Sequence, residues 1–191
     1  MRGKIGAVVA GAALLSLVML PNDAGAASMS PFAQDALSAG LSRAQVSELQ
    51  GQIDRDLASL GGVQVAANKI TTVDGATVLY PLPGEKYAHA LGDGRDGNDI
   101  ATAAASCPYY NFCGYKGANY TGAQWNKSNC GVYNEIPDGW NSGGSWYNNQ
   151  SHRYTSSMYG KTKNFVFQTA SAPSSDPAGN WHPVWYVRNN C

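Results

Sequence analysis

The placement of the cysteines constrains this chain more than any other feature. Only four of its 191 residues are cysteine, and Cys107, Cys113, Cys130 and Cys191 all fall within the last 85. In an exported chain an even count reads first as disulfides, which hold together domains too small to be secured by a large core. Zinc ligation is the rival reading. Its usual spacing of two to four residues between paired cysteines is absent, because five residues separate Cys107 from Cys113. Sequence alone allows three pairings. We favour Cys107–Cys113, a tight loop that Pro108 helps to turn, with Cys130–Cys191, which ties the last residue back into the domain. By the loop-entropy relation the longer closure would stabilise by ~4 kcal/mol if unstrained.

Export is expected from the N-terminus. Arg2 and Lys4 precede an apolar run, Ile5 to Leu20, which Pro21 ends; Ala24-Gly25-Ala26 then offers small residues for a signal peptidase. We expect a signal peptide over residues 1–26 and a secreted, extracellular product. The apolar run is shorter than the ~20 residues a membrane span needs, so no membrane association is expected after cleavage. Residues 27–191 carry 11 Lys and Arg against 12 Asp and Glu, a net charge of −1. That balance offers no electrostatic footprint for nucleic acid.

The chain changes character along its length. Its twelve leucines all lie at or before Leu91, whereas all five tryptophans and nine of eleven tyrosines follow residue 106. Residues 27–100 have five basic and nine acidic groups, and residues 101–191 six and three. Between the two lies a small, polar, Gly-rich stretch, which we read as a linker over 92–106. In the first region, 27–91, Ser42 and Gln45 form a capping box. Val46, Leu49, Ile53, Leu57 and Leu60 recur at helical spacing, and Gly61-Gly62 supplies the stop. Two β-rich runs follow, Val63 to Thr72 and Ala76 to Pro81, joined by the turn pair Asp74-Gly75. A helix plus a β-hairpin of this size would have a thin core and would lean on the second region. It is either a plain accessory unit or a pro-segment docked by its acidic charge, with cleavage expected in the linker.

The second region, 107–191, alternates short β-prone runs with Gly and Asn turns and shows no helical periodicity, which predicts a β-sandwich. Residues 168–182, rich in Ser, Ala and Pro, read as an extra loop.

Within that region Tyr115-x4-Tyr120-x-Gly122 resembles the Greek-key signature of βγ-crystallin-type domains. The glycine there permits a backbone angle that other residues reach only with strain. Together with the Cys107-Pro108 start, the Cys113 spacing and the Gly139 to Gln150 segment, this stretch resembles the streptomycete metalloproteinase-inhibitor family. The likeness covers roughly residues 105–170. It implies a mainly β fold, a crystallin-like Greek-key sandwich with two disulfides preceded by the helix-hairpin region. It also implies a secreted inhibitor of extracellular proteases, with a protease as protein partner. The second Greek key departs from the pattern: Tyr159 to Phe165 is one residue too long, and Phe167 stands where glycine is expected. The candidate inhibitory loop is Cys130-Gly131-Val132-Tyr133, in which Val132 or Tyr133 could enter an apolar protease pocket.

Some microbial crystallin-type domains hold calcium in the stretch that aligns here with Asn141 and Ser145. These are the only calcium candidates. No carboxylate accompanies them and Trp146 replaces an oxygen ligand, whereas calcium prefers carboxylate and carbonyl oxygens, so no metal or cofactor is expected. No nucleophile-elbow, zincin or similar catalytic motif is present. The three histidines, His89, His152 and His182, are expected at exposed positions, and we expect no enzyme. The alternative function is a non-catalytic module binding cell-wall glycan or calcium. For glycan the sequence offers a stacking row of Trp140, Trp146 and Tyr147, which should then be exposed.

Overall fold

Ser42 and Gln45 cap the longest helix as their spacing predicts. In the computed structural model, which describes residues 30–95, 97–99 and 106–191, Gln45 N donates to Ser42 Oγ at 3.3 Å and Ser42 N to Gln45 Oε1 at 2.9 Å. The expected signal peptide lies outside the described residues, as do residue 96 and residues 100–105 of the expected linker. Helix α2 spans Arg43–Leu60 and stops at Gly61, whose positive φ of +66° suits glycine and whose N–H closes the last turn on Leu57 O. It buries Leu49 and Ile53. A shorter helix, α1 (Pro31–Ser38), precedes it and was not anticipated; Ser30 Oγ accepts from Ala33 N at 3.1 Å, and proline occupies the first turn.

The run 63–72 is not one strand. It folds into β1 (Val63–Ala66) and β2 (Lys69–Thr71), with the chain reversing at Ala67-Asn68. Asn68 is fully buried, and its side-chain amide donates to Tyr80 O at 2.7 Å and His89 O at 2.8 Å. Those two bonds fix the turn and anchor the 80–89 segment to it. Asp74-Gly75 then turns the chain into β3 (Thr77–Leu79) as expected, with Gly75 at φ +81°. The expected hairpin is therefore a three-stranded meander.

Eight strands follow residue 106: β4 (Asn111–Tyr115), β5 (Gln124–Lys127), β6 (Asn134–Glu135), β7 (Gly143–Asn149), β8 (Thr155–Tyr159), β9 (Phe165–Gln168), β10 (Ser174–Asn180) and β11 (Tyr186–Asn190). The fold is mainly β with two sheets. The larger has the order β1-β2-β3-β5-β4-β7-β10 and the smaller β6-β11-β8-β9. The chain thus passes repeatedly from one sheet to the other. Strand β10 lies within residues 168–182, where the composition predicts a loop. It pairs with β7 at the edge of the larger sheet, with a bulge between Asp176 and Gly179. An edge position tolerates Pro177, whose missing N–H would break a central ladder.

The larger sheet crosses the expected linker, because β3 pairs antiparallel with β5 and Val78 faces Trp125. The core crosses it too. Leu49, Ile53, Ile70 and Val78 pack in one cluster with Trp125, Trp140, Trp146 and Trp181. The few apolar side chains of the first region are enclosed by tryptophans of the second, where burial of a large apolar side chain is worth roughly 1.5–3 kcal/mol. A polar tie adds to this: buried Lys127 at the end of β5 donates to Asp74 O and lies 3.0 Å from Asp74 Oδ2. Among the described residues no helix is long and apolar enough to cross a membrane.

Candidate functional site

Residues 128–133 join β5 to β6, and every one of them is exposed. They are nevertheless fixed from several directions. Cys130 is disulfide-bonded to Cys191, with Cα atoms 5.7 Å apart, and the second bridge joins Cys107 to Cys113; both favoured pairings are present. Gly131 N donates to Asn189 O at 2.8 Å, and Arg188 Nε donates to Gly131 O at 3.0 Å. Asn134 Nδ2 donates to Val132 O at 3.2 Å and to Val187 O at 3.1 Å. Asn189 Nδ2 reaches Lys127 O at 3.1 Å, on the other flank of the loop. Asn134 and Asn189 are themselves buried, so two enclosed amides support the loop beside the exposed Arg188 contact and the disulfide.

The arrangement separates the two apolar side chains of the loop. Tyr133 is folded back: its ring lies 4.9 Å from Tyr159 and 6.1 Å from Tyr186, both edge-on. Val132 projects, 48% exposed. Gly131 has φ +75°, so the chain bends directly after Cys130 instead of running extended through it. Only glycine takes that angle without strain. A cleft of about 260 Å³ opens beside the loop, lined by Tyr133, Glu135, Asp138 and Tyr186 together with Asp74 and Leu60.

The Greek-key residues meet as their spacing suggests. The rings of Tyr115 and Tyr120 pack edge-on at 5.4 Å, and Gly122 has φ +78°. Ser145 holds this hairpin down from β7: its hydroxyl donates to Gly117 O at 2.7 Å and accepts from Tyr120 N at 2.8 Å. As a calcium candidate Ser145 is fully buried and engaged in those two bonds, while Asn141, exposed, gives its carbonyl oxygen to His182 Nδ1 at 3.2 Å. Among the described residues no group of three or more His, Cys, Asp or Glu side chains is arranged to hold a metal ion.

Two expectations are corrected. Trp140 and Trp146 are core residues and Tyr147 is half-buried against the Cys107–Cys113 cluster, so these three make no stacking row. Trp140 packs on Trp181 and Trp146 on Phe112, which explains their position. His89 is buried rather than exposed, although His152 and His182 are exposed. Its Nε2 lies 2.9 Å from Glu85 Oε2, and its Nδ1 lies 3.0 Å from Asp93 Oδ1 and 3.1 Å from Ala90 O. Burial alone would lower its pKa, but hydrogen bonds to Asp93 and Glu85 outweigh that and hold it above the usual imidazole value. The i, i+4 spacing of Glu85, His89 and Asp93 was the sequence signal for this cluster.

Sequence reasoning also missed the company Tyr133 keeps. No family model, curated protein or solved structure matches the chain.

Proposed function

We propose that this protein is a secreted inhibitor of extracellular metalloproteases that acts through the 128–133 loop. One observation carries this reading. Val132 presents an aliphatic side chain to solvent while the backbone on either side of it is held by a disulfide, a backbone bond to Asn189 and the side chains of Arg188 and Asn134. A segment ordered before docking loses little conformational entropy on binding, and the surplus appears as affinity. A loop held on both sides of the contact residue also keeps its ends together if the backbone is cut, which favours resealing over release. Folding back of Tyr133 makes Val132 the residue offered to an apolar pocket. The bend at Gly131 restricts the substrate-like stretch to Val132 and the residues after it. The likeness of residues 105–170 to the streptomycete metalloproteinase inhibitors points the same way. Support for that likeness comes from the Tyr115–Tyr120–Gly122 hairpin, its Ser145 pin and the alternation of strands between two sheets.

The direct test is titration of the purified protein against a panel of thermolysin-like and other bacterial metalloproteases. Near-stoichiometric inhibition at micromolar protein is expected, with at least a tenfold loss for Val132→Asp. Full protease activity throughout the panel, or equal inhibition by the variant, would remove the proposal.

A further inference from the structure

The outer face of the smaller sheet carries a row of residues drawn from all four strands. Across the pairing register Glu135 of β6 stands beside Tyr186 of β11, Tyr186 beside Tyr159 of β8, and Tyr159 beside Phe165 of β9. Tyr133 lies over this row against Tyr159 and Tyr186, and the Tyr159 and Phe165 rings are 6.1 Å apart. A soluble domain ordinarily breaks up such an aromatic surface or covers it; here Phe165 is 61% and Tyr133 40% exposed.

Positive charge is set into the same surface. Lys163 Nζ is 4.9 Å from the centre of the Tyr133 ring and 5.8 Å from that of Tyr186, and the Arg188 guanidinium is 6.0 Å from Tyr133. The ion pairs of the described residues involve His89, Arg95 and Lys127, and neither Lys163 nor Arg188 joins one. Lys163 occupies a left-handed position, φ +60°, in the turn between β8 and β9, so its side chain departs from a fixed backbone. Glu135 is the one carboxylate in the row, at the end farthest from Phe165.

We infer that this face binds an acidic polysaccharide. Ring faces and edges stack on the C–H faces of sugar rings, and fixed cations without carboxylate partners meet the acid groups of the polymer. A row that crosses four strands spans roughly three inter-strand spacings of about 4.8 Å each, or ~14 Å, enough for two to three sugar units. Charge alone would not require aromatic rings, and stacking alone would not require two cations. The combination favours a sugar acid over an acidic peptide. Two cations are also few for the backbone of a nucleic acid, whose binding relies on many phosphate contacts.

Affinity electrophoresis of the intact protein through gels containing alginate, a polyuronate, tests this. Gels with neutral dextran, poly-glutamate or a single-stranded oligonucleotide run in parallel. Retardation by alginate is expected at low salt, weakening as salt rises. Phe165→Ala and Lys163→Gln, both at exposed positions, should each lower the apparent affinity at least fivefold, while Glu135→Gln keeps or raises it. Phe165→Ala should retain any protease inhibition, because Phe165 lies outside the 128–133 loop and its ring packs on Tyr159. No retardation by alginate overturns the inference. So does equal retardation by dextran, poly-glutamate or the oligonucleotide, or an alginate response that neither Phe165→Ala nor Lys163→Gln changes.

Discussion

The indole N–H of Trp181 donates to the carbonyl oxygen of Tyr115 at 2.7 Å, and both residues are buried. The bond joins the segment before β11 to the end of β4, across 66 positions of sequence. It also explains Gly144: a Cβ there would fall 2.0 Å from Trp181 Nε1 and 2.8 Å from Tyr115 O. Trp181→Phe should therefore destabilise by about 1–3 kcal/mol from the unsatisfied buried carbonyl alone. Gly144→Ala should cost at least as much by forcing the indole out of place. Denaturant unfolding of both variants is the check; a loss below about 0.5 kcal/mol for either would mean that the indole is not anchored as described.

The Cys130–Cys191 bridge should matter more to the loop than to the fold. Cys130→Ser with Cys191→Ser is expected to cost about 2–5 kcal/mol of stability. The sheets remain paired, because Asn189, Asn134 and the β11 ladder do not depend on the sulfurs. Hydrogen exchange should quicken most at Gly131, whose amide is bonded to Asn189 O. Uniform acceleration over both sheets would contradict this ranking.

His89 gives stability a pH dependence of definite sign. Its folded pKa lies above its ordinary 6.5, so its contribution is fully present below 6.5 and is lost as pH rises through the folded value. The neighbouring groups act at the other end: Asp93, beside His89 and Arg95, has its pKa held below the ordinary 3.8. Its contribution is present above 3.8 and disappears as pH falls through the folded value. The melting temperature of His89→Gln, compared with that of the native protein from pH 4 to pH 9, should show a deficit that is largest in mildly acidic buffer and shrinks with alkalinity. A deficit constant with pH would assign the histidine a packing role only.

Cutting the chain between residues 100 and 105 should leave the two pieces together. β3 is hydrogen-bonded to β5, Ile53 lies among the tryptophans, and Lys127 is tied to Asp74. Size-exclusion chromatography after cleavage at an engineered protease site should give one peak containing both fragments. Ile53→Ala, which costs about 2–5 kcal/mol in a packed core, should loosen that association. Separation of the fragments from the native sequence at micromolar concentration would refute the shared core.

Local chemistry was the legible part of this sequence. The Ser42–Gln45 box, the Gly61 stop, the Asp74-Gly75 turn, the Gly122 angle and both disulfide pairings each depend on residues whose constraint is visible at short range or through simple chain closure. Ser30-Pro31 is the short-range signal for α1, a capping hydroxyl followed by proline in the first turn. The strand break at Asn68 was harder to see, because Asn68 turns the chain by bonding Tyr80 and His89, which are remote in sequence. The aromatic residues were the least legible. Nothing in composition says that Trp140 and Trp146 face inward while Tyr133, Tyr159, Phe165 and Tyr186 share an outer face. For Tyr159, Phe165 and Tyr186 the division is fixed by the register of β8, β9 and β11, each of which could slip by one residue and reverse its faces, whereas Trp140 and Tyr133 are set by loops.

The cysteine connectivity has a consequence for biogenesis. Cys113 can find Cys107 as soon as six further residues of chain are available, whereas Cys130 must wait through a separation of 61 for Cys191. A growing chain therefore retires its first two thiols locally before the later pair can meet, which removes two of the three ways of joining four cysteines. The exposed 128–133 segment gains its bonds to Arg188 and Asn189 and its bridge to Cys191 only once β11 has been laid against it, so until then Val132 is held by the neighbouring Asn134 alone.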